Sequence, residues 1–416
     1  MKSHYQVLII GGGTAGIMVA AQLKRKEKNL SVGIIEPSPD HWYQAAYTLV
    51  GAGTYDYNKT RRDTASLIPK GVDWVRDYAT AIDPDTHSVL TQNTGTLQYD
   101  YLVVAPGLVM DYDAMPGLTE ALKTEVVCSN YTDPKKTWKV LQEFKGGNAV
   151  FTQPSTPIKC GGAPQKILYL ADDYFRKSGV RSRTNMIYAT PGTVIFGTKE
   201  FADTLMQVVN RKEIILKLFY NPVKIDSTNR IIYFEYKKDS AFLPEVRIHE
   251  TMGSDHLIQI PYDMLHLAPP QAAPEFIQKS VFAIPEGAGK GWVDVDPETL
   301  EHKRFQNVYA LGDVASLPTA KTGAAVRKQA PVVVDHIIQS LHGKKSKAAY
   351  NGYSSCPLVT GYGKMLLAEF KYGNVRDSDP LLSKFVDTTK EQWSMWLLKK
   401  YALPYLYWNQ MMKGKM

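Results

Sequence analysis

The sequence predicts an α/β protein built from two Rossmann-like units and closed by a helical C-terminal segment suited to a membrane surface. Three observations predict it. An apolar run at 7–10 passes at once into G-x-G-x-x-G at 11–16. Two further buried-strand patterns, at 99–107 and 305–313, end in small residues or an acid. At 416 residues the chain calls for two or three domains. Area scaling lets a chain of this mass bury about three-quarters of its surface, which disfavours disorder and fibrous repeats. The 49 basic and 41 acidic residues leave a net charge of +8. That excess suits acidic lipid or small anions and is too diffuse to argue for nucleic acid.

Residues 7–10 read as a strand covered on both faces, and 17–23 as the following helix. Between them Gly11 makes the tight turn. Gly13, with Thr14 and Ala15, lets backbone amides approach a pyrophosphate, and Gly16 lets helix pack on strand. A second strand, 31–35, ends in Glu36, twenty residues after Gly16. A carboxylate at that spacing accepts hydrogen bonds from the hydroxyls of an adenosine ribose. Four glycines and the lack of a cleavage pattern argue against reading 7–23 as a signal peptide. No run of eighteen apolar residues predicts a transmembrane helix.

Residues 99–107 form a strand running into a small-residue turn that contains Ala105 and Gly107. Residues 305–313 form another, ending in Gly312 and Asp313. These segments resemble the two later FAD signatures of flavoproteins with two dinucleotide-binding domains. In those proteins the terminal Asp hydrogen-bonds the ribitol chain. The resemblance implies FAD as cofactor and the FAD/NAD(P)-binding flavoprotein fold. It predicts an FAD-binding first half at 1–112, a second Rossmann-like domain at 113–265, the second FAD half at 266–345 and a C-terminal region at 346–416. In that superfamily the second domain carries its own glycine turn for NAD(P)H. Here the strand expected at 148–152 leads into 153–166, where two prolines and a Lys-Cys stand in place of such a turn. The nicotinamide site is therefore read as degenerate.

Three cysteines are too few for a disulfide scaffold, so each is read in its own setting. Cys160 lies just ahead of a helix expected at 165–176, with Pro164 suited to its first turn and Lys159 and Lys166 nearby. A helix start and cations favour a thiolate. Cys356 is expected in a turn before a strand at 364–370, and Cys128 near the exit from the first FAD half. Any one of them also reads as a small buried hydrophobe. For Cys160, glycine and proline neighbours weigh against that reading.

K-C-G-G-A-P-Q-K at 159–166 and S-S-C-P-L-V-T-G-Y at 354–362 resemble sulfide:quinone oxidoreductase, closest to its mitochondrial-like subgroup. The similarity extends through 41–53, 291–296 and 317–322. It implies that Cys160 and Cys356 form a redox-active pair beside the flavin. Cys128 is a third catalytic candidate whose role stays open. It further implies cofactor contacts from Gln44 in the 41–48 segment, Ala79, Ala105, Gly107, Gly312 and Asp313. Lys321, ahead of a helix expected at 322–336, would lie at the pyrimidine edge of the flavin. The implied partners are sulfide, quinone and a sulfur acceptor such as sulfide, glutathione or sulfite; a homo-oligomer is compatible. The chemistry is consistent, because thiolate–disulfide exchange converts sulfide into a covalent persulfide. The competing readings are a flavocytochrome c sulfide dehydrogenase-like flavoprotein, an NADH:quinone reductase and a non-catalytic flavin redox sensor. No metal is expected, since no Cys/His pair has ligand spacing.

The segment 391–408 is rich in Trp, Tyr and Lys. Trp393, Trp396, Leu397 and Tyr401 fall on one side at helical spacing, Pro404 ends or kinks the helix, and 405–412 can form a second short one. This composition suits the headgroup boundary of a bilayer, in a bacterial cytoplasmic or mitochondrial inner membrane. A tail packed on the FAD domain and a dimer surface are the alternatives. Both FAD signatures and both paired cysteines precede Ser383, so removing the rest is expected to leave FAD bound.

Overall fold

The apolar run at 7–10 lies within a strand, His4–Ile10, at the centre of a seven-stranded sheet in the computed structural model, which describes residues 2–238 and 242–416. Val7, Leu8 and Ile9 are fully buried and Ile10 nearly so, as a strand covered on both faces requires. Val32–Ile35 pairs with it on one side and Thr96–Val104 on the other, both parallel, with Ile10 opposite Ile35 and Val104. Val72–Val75 extends the sheet beyond Val32–Ile35. Val308–Ala310 pairs parallel with the last residues of Thr96–Val104, placing Ala310 opposite Val104. The 11–16 turn, Glu36, Ala105 and Gly312 therefore leave the sheet along one edge. This is the carboxyl edge at which open parallel sheets bind ligands.

A second, five-stranded sheet is wholly parallel, in the order Val127–Cys128, Met264–His266, Gly147–Thr152, Thr184–Thr190, Ile215–Leu218. A four-stranded antiparallel sheet runs from Tyr220 to Pro261 beside it. The mixed seven-stranded sheet, parallel except for its Ala79–Asp83 and Ser88–Thr91 edge, and the parallel five-stranded sheet are the α/β flavoprotein architecture that the glycine turn and the strand patterns predict. The helix expected at 165–176 runs Ala163–Lys177, and that expected at 322–336 runs Gly323–Leu341 with Thr322 as its N-cap. The Thr322 hydroxyl accepts from the Ala325 N–H at 3.0 Å, satisfying one of the amides orphaned at a helix start.

Cys356 does not lie in a turn. It sits inside the strand Ser354–Gly361, opposite Ala368 of Lys364–Lys371, and the chain reverses only at 362–363. Pro357 suggests a break in the sequence, but this strand is at the edge of its sheet, where a missing N–H is tolerated.

The tail also departs from expectation. Trp393–Leu397 continues through a π-turn, Leu398–Ala402, directly into Leu403–Asn409. Pro404 neither ends this path nor stands in a regular α-helical interior. The wider turn ahead of it accommodates a residue that lacks an N–H and whose ring crowds the preceding carbonyls. Trp396 and Trp408 are buried, while Trp393 and Tyr401 are 65% and 62% exposed. The single apolar side expected for Trp393, Trp396, Leu397 and Tyr401 is thus split between core and surface. Tyr407, Trp408, Met411 and Met412 share a core cluster with Ile17, Val19 and Leu23 of the first helix. Among the described residues no helix is long and apolar enough to cross a membrane.

The packing argues against the expectation that the tail can be removed without loss of cofactor. Truncation after Ala402 removes, besides Pro404, the buried Tyr407, Trp408, Met411 and Met412, each of these four contributing roughly 1.5–3 kcal/mol as an upper bound. That total rivals the whole stability of a domain, about 5–15 kcal/mol. We expect the truncated chain to show a markedly lower Tm and substoichiometric flavin, measured by thermal unfolding and by the flavin-to-protein absorbance ratio.

Candidate active site

The glycine turn is shaped by contact. Gly11 has φ +99°, and a Cβ there would lie 2.3 Å from the Ala105 carbonyl oxygen; a Cβ on Gly16 would lie 1.8 Å from that of Gly11. Only glycine permits this approach of turn, strand end and helix. A Cβ on Gly13 would meet nothing within 4 Å. Gly13 is the N-cap of the thirteen-residue helix Thr14–Lys26, which has no side-chain cap and no acid in its first turn. Its free amides and positive dipole end suit a pyrophosphate. Ala15 lies beside Gly312, which ties the first signature to the last. Gly107, in the left-handed region at φ +76°, is likewise open beyond its Cα.

Glu36 accepts the Gly12 and Ser38 N–H groups, each at 2.7 Å, one on each carboxylate oxygen. Burial raises its pKa against these two bonds. Each oxygen retains acceptor capacity for a ribose hydroxyl. The Glu36 N–H bonds the Val75 carbonyl, which brings the approach to Ala79 to the same end of the site. Among the described residues Asp313 has no side-chain hydrogen bond or ion pair. Burial raises its pKa although the charges of Lys321 and Lys159 pull it down. An unpartnered carboxylate beside the turn is the acceptor a ribitol hydroxyl would use. These features fit FAD.

Lys321 is fixed rather than solvated. Its ammonium donates to the carbonyls of Asp313 at 2.6 Å and Ala315 at 2.9 Å, and lies 4.0 Å from the centre of the Trp292 ring. Burial lowers its pKa to about 8. The Lys321 carbonyl accepts the Cys160 N–H at 2.8 Å. Thr322 and Ala320 bond the Ser354 hydroxyl at 2.8 and 3.1 Å. Both cysteine-bearing segments are therefore tied to one stretch, 320–322. Gln44 accepts from Lys159 at 2.5 Å, which joins the 41–48 segment to the same cluster.

The fold places Cys160 Sγ 3.9 Å from Cys356 Sγ, across 196 residues of sequence. Cys160 has φ +54°, and the Tyr131 hydroxyl donates to its carbonyl at 3.3 Å. Gly162 makes the approach possible: a Cβ there would lie 2.5 Å from Leu358 and 2.6 Å from Cys356 Sγ. Lys166, almost wholly buried, donates to Cys160 Sγ at 3.0 Å. Cys160 is held well below the usual thiol range, first by the hydrogen bond from Cys356 and then, against burial, by Lys166. Cys356 moves the opposite way, because its proton sits in that hydrogen bond and because it is buried. Cys128 shares the large core cluster of Cys356, and among the described residues no hydrogen bond joins it to the pair. It is wholly buried in the core beneath the second sheet, its thiol pushed up to about 12 by burial. That is the setting of a small apolar side chain.

Sequence reasoning missed three contributors. Lys399, buried on the π-turn, donates to the Ala45 carbonyl at 2.7 Å, and burial beside Lys166 lowers its pKa to about 8. His41 and Tyr407 complete a chain over the glycine turn. Tyr407 bonds Thr14 at 2.8 Å and His41 Nε2 at 2.6 Å, while His41 Nδ1 lies 3.2 Å from the Gly12 carbonyl. Burial lowers the His41 pKa to about 4, so the neutral ring donates to Gly12 and accepts from Tyr407. No local signal distinguishes Lys399 or Tyr407 from the other Lys and Tyr residues of the tail.

In the second domain, the loop after Gly147–Thr152 and the helix start it leads into spend several of their amides internally. The N–H groups of Gln153, Lys159, Cys160, Ala163 and Lys166 all bond protein acceptors. None of these five is free for a pyrophosphate.

Residues 5–143 match the family model described as pyridine nucleotide-disulphide oxidoreductase. The chain is 40% identical over 415 residues to the mitochondrial sulfide:quinone oxidoreductase of Mus musculus, covering 99% of this chain and 87% of that protein. It is 36% identical to the corresponding protein of Schizosaccharomyces pombe, covering 98% and 90%. The crystal structure of sulfide:quinone oxidoreductase from Aquifex aeolicus superposes with a TM-score of 0.77 at 19% identity, over 99% of this chain and 92% of that one.

Replacing Gly162 with Ala tests the geometry. The variant should fold and bind flavin, because its φ is negative, yet hold the two sulfurs apart. We expect sulfide-dependent flavin bleaching to slow at least tenfold, about 1.4 kcal/mol of barrier, in anaerobic stopped-flow absorbance.

Proposed function

We propose a residue-level route for sulfide oxidation in this chain, which belongs to the sulfide:quinone oxidoreductase family. It is an FAD-dependent enzyme that oxidises sulfide and reduces quinone. The observation that carries the route is the approach of Cys160 and Cys356 with Lys166 on Cys160.

In the oxidised pair, hydrosulfide attacks the disulfide at Cys356 sulfur. A new S–S bond forms there, the Cys160–Cys356 bond breaks, and Cys160 leaves as thiolate. The lower-pKa sulfur is the better leaving group, and Lys166 receives its charge at 3.0 Å. Lys399, carrying its own charge below about pH 8, adds a second cation nearby. A nucleophilic acceptor then removes the outer sulfur from Cys356 and leaves a second thiolate. Re-formation of the disulfide releases the electron pair. FAD, when bound, supplies the two-electron carrier between this pair and quinone. Gly11, Gly13, Thr14, Ala15, Gly16, Glu36, Ala79, Ala105, Gly107, Gly312 and Asp313 would hold it. Lys321, with Gln44 across the cluster, would place a cation beside its ring system. Cys128 serves packing.

The second dinucleotide-binding region has lost its nicotinamide function, which supports sulfide rather than NAD(P)H as donor. The exposed apolar residues Leu381, Phe385, Trp393, Tyr401 and Tyr405 would meet the lipid boundary where quinone resides. Trp396 and Trp408 do not belong to that surface. The mitochondrial relatives support a peripheral position at a mitochondrial membrane.

Cys160→Ser and Cys356→Ser should each retain FAD and lose sulfide-dependent bleaching. Bleaching at near-normal rate in either variant would exclude the route. The Cys128→Ser variant should bleach at close to the normal rate.

In wild-type protein, NADH should reduce the flavin at least a hundredfold more slowly than sulfide, about 2.7 kcal/mol of barrier. Rates read side by side in the same stopped-flow instrument check this, and comparable rates would return a nicotinamide donor to consideration.

A further inference from the structure

A cavity of about 540 Å³ lies between the 55–67 segment and the C-terminal helix, with neither Cys160 nor Cys356 among its lining residues. Three cations line it, Lys59, Arg62 and Lys413, and none of its lining residues is acidic. Among the described residues no carboxylate pairs with any of the three. Neighbouring Arg61, in contrast, is taken up by Asp40 and Asp63. The Arg62 guanidinium is held over the Trp408 ring, 4.9 Å from its centre, and donates to the Arg61 carbonyl. Trp408 also lines the cavity. It is more than nine-tenths buried, and its indole N–H has no acceptor among the described residues. A buried donor without a partner is a standing cost that an acceptor oxygen relieves.

Leu67 and Pro404 contribute apolar wall to this space, and Tyr405, 61% exposed, stands at its rim. We infer that the cavity binds the phosphodiester headgroup of an anionic phospholipid. The cations take the phosphate charge, and the apolar wall continues toward the exposed aromatic surface along the start of the acyl chains. Unpaired Lys and Arg around an apolar wall suit this chemistry better than a neutral quinone, which would leave three like charges uncompensated. A free phosphate would use the cations and leave the apolar wall wet. This inference rests on the membrane contact proposed above, but adds to it a site with its own selectivity.

The test uses full-length, flavin-loaded protein, sedimented with vesicles of phosphatidylcholine alone and of phosphatidylcholine mixed with phosphatidylglycerol. Wild type should bind the mixed vesicles more tightly. Lys59→Gln with Arg62→Gln should cut that increment about 30-fold, the effect of two near-surface charges, and leave binding to phosphatidylcholine unchanged. Lys344→Gln with Lys345→Gln, an equal charge change on an exposed loop, should leave most of the increment in place. The inference falls if the first double variant keeps the increment, or if the second removes as much of it. It falls also if inorganic phosphate at constant ionic strength displaces the protein from mixed vesicles, which would assign the site to free phosphate. Calorimetry with soluble dihexanoyl-phosphatidylglycerol separates the two readings. Binding there with no affinity for phosphatidylcholine vesicles would sink the aromatic membrane contact and uphold the pocket.

Discussion

The hydrogen bond from the Cys160 N–H to the Lys321 carbonyl is the contact on which the rest of the site depends. It joins the loop that replaced a nicotinamide turn to the segment that follows the last FAD signature. The same segment holds Ser354, two residues from Cys356, through Ala320 and Thr322. The Lys321 ammonium turns back to the Asp313 carbonyl. Three stretches far apart in sequence are thereby fixed against one another, the first by a main-chain pair and the others by the Ser354 and Thr322 hydroxyls and the Lys321 ammonium. The sulfur separation follows from this frame together with the missing side chain at Gly162.

Within that frame, charge is handled by mutual burial. Lys166 is buried yet keeps its proton, because the thiol pair raises its pKa against the cost of desolvation. Lys399 lacks so close an anion, and burial with a neighbouring ammonium pulls it down to about 8. The two lysines are thus unequal: one is a permanent partner of Cys160, the other a charge whose presence depends on pH. Cys160 and Cys356 are unequal for a related reason. A single proton shared between two close sulfurs stabilises one as anion only by making the other a donor, and Lys166 decides which. A symmetric pair would have no preferred leaving group. Asymmetry gives the exchange a direction.

How much of this was legible depended on whether the signal was local. The strand–glycine turn–helix unit, the acid at Glu36 and the two later signatures each sit within a few residues of their own explanation. The sheet confirms the strands because apolar runs buried on both faces have few alternatives. Cys356 in a strand was misread, since Pro357 looks like a breaker until the strand is known to be an edge. Its approach to Cys160 could not be read from spacing at all. Lys399 and Tyr407 were illegible for a different reason. In a segment crowded with Trp, Tyr and Lys, composition says that the surface is amphipathic but not which members turn inward. Trp396 and Trp408 face the core while Trp393 and Tyr401 face outward, a division that composition does not carry.

That division gives the tail two attachments at once. On its inner side Tyr407 closes the chain Thr14–Tyr407–His41–Gly12 directly over the glycine turn. On its outer side it presents the exposed rings. Those four groups are satisfied only together: without Tyr407, His41 loses the partner of Nε2 in a site where burial already holds the ring neutral. An unsatisfied buried polar group costs about 1–3 kcal/mol. The tail is therefore a structural part of the cofactor site rather than an appended anchor. In the proposed membrane contact, a surface that engages these outer rings also bears on the glycine turn beneath them. A lipophilic acceptor can then be met close to the flavin without the protein entering the bilayer deeply.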